Sequence, residues 1–224
     1  LDPLLLGVHP SAVEGSGGPL GPYVERDSDT LPGGLRNLLE GASEGNREFY
    51  LLRGDSCVGK TRLAVEAVAS VLPTWHLLLP EFWLRDESIS GGEIPANAVI
   101  WLDDVEKHFL RSSYAEEVLD LIRRALLPAS PLAVVIGSIW PSRYSRYIAP
   151  DPRASVNQHR LREALQLAKL VEVDQTWSRT ELERAATLSG VKGKAVSAAL
   201  RFASDSRFSI PQILAGAPQL EARW

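Results

Sequence analysis

Gly54-Asp55-Ser56-Cys57-Val58-Gly59-Lys60-Thr61 is a full G-x-x-x-x-G-K-T. It follows a short apolar run, Glu48–Arg53, and opens a helical pattern over Lys60–Leu72. Glycines in such a loop permit a tight turn that brings successive backbone N–H groups around an anion. The lysine of the pattern reaches the β and γ phosphate oxygens, the threonine hydroxyl ligates Mg²⁺, and the helix adds its positive end. The predicted phosphate site therefore comprises Gly54, Asp55, Ser56, Cys57, Val58, Gly59, Lys60, Thr61 and Arg62, with Lys60 also acting on the transition state and Thr61 on the metal.

A loop of this kind needs an acid at the end of a neighbouring parallel strand. Val99-Ile100-Trp101-Leu102-Asp103-Asp104 supplies it. The apolar run buries the strand, so Asp103 emerges at its carboxyl end, where open α/β sheets bind ligands. Asp103 is expected to hold the metal and Asp104 to polarise the attacking water, with Glu106 a competing base. The strand Leu132–Gly137 ends at Ser138-Ile139-Trp140-Pro141. Ser138 is the polar candidate there to sense a γ-phosphate between the two motifs, and Arg143 or Arg146 could bring positive charge to the transition state.

Working outward, strand and helix signals alternate. Thr74–Leu79, Ala98–Leu102 and Lys169–Val173 read as further strands, and Tyr114–Leu127 as an amphipathic helix with Val118, Leu119, Ile122 and Leu126 on one face. This predicts an α/β fold, a P-loop NTPase parallel sheet with helices on both faces. Past Asp174 strands give way to helices. Ser178–Glu181 has the S-x-x-E form of a capping box, opening a helix to about Leu188, with others near Lys194–Ala203 and Pro211–Ala215. Three segments are expected: a Gly/Pro/Ser-rich linker over 1–22, a nucleotide-binding domain over 23–174, and a small C-terminal helical lid over 175–224.

Composition excludes other classes. At 45% hydrophobic and 23% charged, the 224 residues belong to an ordinary globular domain, and the formal charge of −4 argues against a generic nucleic-acid coat. The single cysteine, Cys57, cannot form an internal disulfide or a thiolate cluster, which points to a reducing, cytoplasmic setting. No apolar stretch is long enough for a bilayer. His76, His108 and His159 lack metal-ligand spacing, and Trp75, Trp83 and Trp177 read as packing residues. The absence of methionine and the opening at Leu1 predict a piece of a longer protein.

No asparagine is followed by lysine, so the N-K-x-D element of guanine recognition is missing. The flanks of the loop instead resemble the STAND class of signal-transducing P-loop NTPases, which includes NB-ARC and NACHT proteins and is related to the AAA+ proteins. Tyr23-Val24-Glu25-Arg26-Asp27 resembles the family's hydrophobic-hydrophobic-Gly-Arg-Glu element, and Asp103-Asp104 its tandem acids. Gly216-Ala217-Pro218 resembles its G-x-P motif. Trp101-Leu102-Asp103-Asp104, Gly137-Ser138-Ile139-Trp140-Pro141 and Leu214-Ala215-Gly216-Ala217-Pro218 together look like an actinobacterial group of these proteins.

The resemblance implies ATP or ADP with Mg²⁺ as cofactors, weak ATPase activity, Arg26 at the base, and Pro218 packing near adenine from the lid. It also implies effector and sensor domains in a parent chain and nucleotide-dependent self-association. Glu25 stands where the family has glycine, and Ile139 where many NB-ARC proteins carry a sensor arginine. Two other readings compete. Glu181–Arg201 resembles a helix-turn-helix, with Ala186, Gly190 and Val196 at the right spacing, which would make the chain a DNA-binding regulator. A small-molecule P-loop kinase would need an acceptor pocket and an arginine-rich lid, and neither is visible in the sequence.

Overall fold

The strands form where apolar and β-branched residues run without interruption: Phe49–Arg53 (β1), His76–Leu78 (β2), Ala98–Leu102 (β3), Ala133–Ile139 (β4) and Ala168–Glu172 (β5). In the computed structural model, which describes residues 3–8, 20, 23–84, 93–188, 194, 196–201 and 209–214, they build a five-stranded sheet in the order β2-β3-β4-β1-β5. The β1–β4, β3–β4 and β2–β3 pairings are parallel, as expected for strands joined by helical crossovers. This is the α/β class that the alternation of signals predicts.

The chain divides into two compact units. One comprises Leu38–Arg53 and Val68–Val171 and holds the sheet. Side chains alternate across it with period two. The helices up to β5 are Asp27–Thr30 (α1), Leu35–Ser43 (α2), Lys60–Val71 (α3), Pro80–Trp83 (α4), Val105–Leu110 (α5), Ala115–Leu126 (α6), Pro141–Ile148 (α7) and Val156–Leu167 (α8). Phe49, Leu51, Ala98, Ile100, Leu102, Ala133 and Val135 share a core with α5, α6 and α8. The alternate residues Tyr50, Leu52, Val99, Trp101, Val134 and Ile136 are buried too, as a sheet covered on both faces requires. On α6 the predicted stripe is realised, with Val118, Leu119 and Ile122 buried; Leu126 packs at its margin.

The other unit comprises Leu1–Asn37, Gly54–Ala67 and Glu172–Trp224. It therefore groups the glycine-rich loop with the N-terminal segment and with the helices that follow the sheet. Val24, Ala185 and Val196 form one cluster and Ala199, Ile213 and Leu214 a second, and Trp177 packs against both. The capping box read at Ser178 opens Arg179–Ala186 (α9), with Ser178 Oγ accepting from Glu181 N and the Glu181 carboxylate from Ser178 N.

Several boundaries differ from the sequence reading, for local reasons. β4 runs on to Ile139 because its last two residues stay paired with β1, Leu52 opposite Ser138 and Arg53 opposite Ile139. Ser138 thus lies within the strand. β2 is shorter than Thr74–Leu79 because the chain is still turning at Trp75, whose N–H bonds to Leu72 O. α9 ends at Ala186. In the helix-turn-helix segment Val196 is buried, while Gly190, Lys192 and Gly193 lie outside the described residues, as do Gly216, Ala217, Pro218 and most of the expected linker.

Candidate functional site

β1 carries the chain into the loop at Gly54. This position needs glycine for space: a Cβ there would sit 2.5 Å from Val173 O and 3.0 Å from Val58 Cγ2. Within the loop, Cys57 (φ 58°) and Gly59 (φ 96°) are left-handed, and the helix Lys60–Val71 (α3) begins at once. Left-handed residues alternating with right-handed ones turn successive N–H groups to one side, the concave arrangement that receives anions.

The loop carbonyls are held by side chains. Lys60 is 7% exposed, and its ammonium donates to Gly54 O (2.9 Å) and Asp55 O (2.7 Å). Arg26 Nη1 donates to Val58 O (2.9 Å) and Gln212 Nε2 to Ser56 O (3.3 Å). Thr61 is the second residue of α3. Arg62 pairs with Glu66 one turn on (2.6 Å) and lies over the Tyr23 ring. Ser56 and Asp55 are exposed, and Cys57 is half-buried.

Arg26 is 4% exposed. Besides Val58 O, its guanidinium donates to Glu181 Oε1 (2.8 Å) and Asp174 O (2.7 Å), so it is fully engaged by the chain itself. The sequence identified Glu181 as a helix cap; its partnership with Arg26, 155 positions away, has no signature in spacing. Tyr23 OH donates to the buried Asp29 carboxylate (2.6 Å), and burial, foremost, raises both groups above their ordinary values.

The acids form a second cluster, within the sheet unit. β4 lies between β1 and β3, so its polar residue adjoins the acidic strand end. Ser138, 5% exposed, donates from Oγ to Asp103 Oδ1 (2.7 Å) and accepts from Asp104 N (2.9 Å). The serine thereby fixes one oxygen of the expected metal ligand. Asp104 is left-handed (φ 50°) at the start of α5, and its carboxylate pairs with Lys107 (2.5 Å). Glu106 is buried, with Oε1 paired to Arg143 Nη1 (2.9 Å) and Oε2 without a hydrogen-bond partner. Arg143 also lies over the Trp140 ring. The two residues left open as bases thus differ: Asp104 is half-exposed and ion-paired, Glu106 is buried and held by Arg143.

Burial holds the Glu106 carboxyl above its ordinary 4.5; Asp104 adds to the rise, while Arg143 and Lys107 oppose it. The folded chain keeps this proton to higher pH than the unfolded chain does. As pH rises through that interval the unfolded state ionises first, and stability falls; below the ordinary carboxyl value both states are protonated and the loss is absent. Glu106→Gln is expected to remove this fall. Urea unfolding at about pH 4 and about pH 7 should show the change in stability from the lower to the higher pH to be more favourable in the variant than in wild type.

Each unit by itself carries an oxygen donor of the kind Mg²⁺ takes: the Thr61 hydroxyl in the loop unit and the Asp103 carboxylate in the sheet unit. No cluster of three or more His, Cys, Asp or Glu side chains able to hold a metal occurs among the described residues. No helix among them is long and apolar enough to cross a membrane.

No protein-family model matches the chain, and no curated protein matches it. Among solved structures, it is similar to domain III of the replication initiation protein DnaA from Thermotoga maritima. The TM-score is 0.45 and the identity 16%, over 88% of this chain and 96% of that one.

Proposed function

We propose that the chain is the ATP-binding, slowly hydrolysing switch module of a STAND-class signalling or defence protein. The observation that carries the nucleotide reading is the Gly54–Thr61 loop, with left-handed turns at Cys57 and Gly59 and carbonyls held by Lys60, Gln212 and Arg26. In this reading the loop binds the triphosphate and Lys60 neutralises its charge. Thr61 would offer Mg²⁺ a hydroxyl and Asp103 a carboxylate, and the ion would supply polarisation of the γ-phosphate. Ser138 keeps Asp103 oriented, and either Asp104 or Glu106 receives the proton of the attacking water. The switch role rests on the resemblance of Tyr23–Asp27, Asp103-Asp104 and Gly216-Ala217-Pro218 to the STAND motifs. Effector and sensor domains of a parent chain, and self-association with nucleotide, belong to the same proposal.

Titration of ATP and GTP into the chain with Mg²⁺, followed by assay of phosphate release without an added acceptor, tests it. ATP should bind more tightly than GTP and be hydrolysed slowly. Preference for GTP, or turnover only in the presence of a small-molecule acceptor, would remove the switch reading in favour of a GTPase or a kinase.

A further inference from the structure

Arg26 and Glu181 make a connected set of contacts within one compact unit. Arg26 Nε and Asp27 N both donate to Glu181 Oε1, at 2.8 and 2.7 Å, while Glu181 Oε2 accepts from Ser178 N at 2.8 Å. The other guanidinium nitrogens donate to Val58 O in the loop and to Asp174 O just after β5. Arg184 adds an ion pair with Asp27 Oδ1 and donates a hydrogen bond to Glu25 O. One buried arginine thus joins three stretches of chain: the loop, the turn at 174–176, and the first turn of α9.

In a trans peptide the C=O and N–H point in opposite directions, and no cis bond occurs among the described residues. A donor fixed on Val58 O therefore aims the N–H of Gly59 the other way. That N–H belongs to the final glycine of the phosphate motif. We propose that Arg26, oriented by Glu181, is a positioning residue that holds the Val58–Gly59 peptide ready for a phosphate and ties the occupancy of the loop to the order of residues 174–186. The inference rests on the nucleotide reading above and specifies how the loop communicates with the helices. A planar fork meeting separate acceptors at fixed angles is a task for arginine, which lysine cannot reproduce.

The test compares wild type, Glu181→Gln and Arg26→Lys with Ser178→Ala, which removes the α9 cap and the Ser178 Oγ bond to Asp27 Oδ2 but no contact of Arg26 itself. Mg-ATP affinity is read by titration, and hydrogen exchange over 174–186 is read with and without saturating Mg-ATP. In wild type, ATP should slow exchange in this segment. Glu181→Gln and Arg26→Lys should each weaken ATP binding about tenfold and lose the ATP-dependent slowing. Ser178→Ala should lower the melting temperature yet bind ATP within about twofold of wild type. If wild type binds ATP and exchange over 174–186 ignores it, or if the Glu181 and Arg26 variants bind as wild type does, the coupling is overturned while nucleotide binding stands. A wild type that binds no ATP overturns both.

Discussion

Lys60→Ala is expected to weaken Mg-ATP binding about a hundredfold while costing the fold about 1 kcal/mol. The side chain is nearly buried, and its ammonium bonds two carbonyls of its own loop, Gly54 O and Asp55 O. Phosphate oxygens offer the same group charged acceptors, and charge-assisted hydrogen bonds are roughly twice as strong as those to neutral acceptors. Alanine removes that gain entirely, whereas in the free chain the bonds it removes to Gly54 O and Asp55 O are to neutral carbonyls. Urea unfolding alongside ATP titration separates the effects. A variant that loses stability and affinity in proportion would make Lys60 a structural residue of the loop.

Gly54→Ala is the second large effect, and it acts through space. The added methyl would lie 2.5 Å from Val173 O, a backbone atom, and 3.2 Å from Val173 Cβ. No flexible side-chain end can yield there, so either the loop or the segment after β5 must move. An overpacked site of this kind costs about 1–3 kcal/mol, and moving the loop also turns its peptides away from the anion. Stability and ATP affinity should both fall. Gly59 makes an informative contrast. Nothing lies within 4 Å of a Cβ there, but its φ is +96°, so Gly59→Ala is penalised only by backbone conformation, about 1–2 kcal/mol. The first glycine of the motif serves a close approach and the second a left-handed turn.

These distinctions were only partly legible in the sequence. The spacing of Gly54, Gly59 and Lys60 identified the loop because an anion-binding turn allows few residue types at those positions. The apolar run before Asp103 located β3 to the residue, since five consecutive buried residues leave a strand little latitude. The cap at Ser178 was readable because a capping box is local. The same logic would have found α8: Ser155-Val156-Asn157-Gln158 is an S-x-x-Q box, and both of its reciprocal bonds form. The helices α5 and Pro141–Ile148 (α7) carry no comparable signal; α5 is six residues long and starts from a left-handed aspartate. Long-range partnerships were not legible at all. Nothing near Arg26 specifies Glu181, Val58 and Asp174, and nothing near Glu106 specifies Arg143, because such pairs depend on how distant segments pack.

Cys57 gives the most direct test of where nucleotide binds. It is the only cysteine in the chain, a free thiol, half-buried and set in the middle of the loop with left-handed backbone. A small alkylating reagent therefore reports on this one position, by its rate of reaction measured by mass spectrometry with and without saturating Mg-ATP. Phosphates held by the loop should close over Cys57, so Mg-ATP should slow alkylation at least about tenfold, and chains already alkylated should no longer bind ATP. An alkylation rate unchanged by Mg-ATP, or full ATP binding by the alkylated chain, would contradict the assignment of the Gly54–Thr61 loop as the nucleotide site.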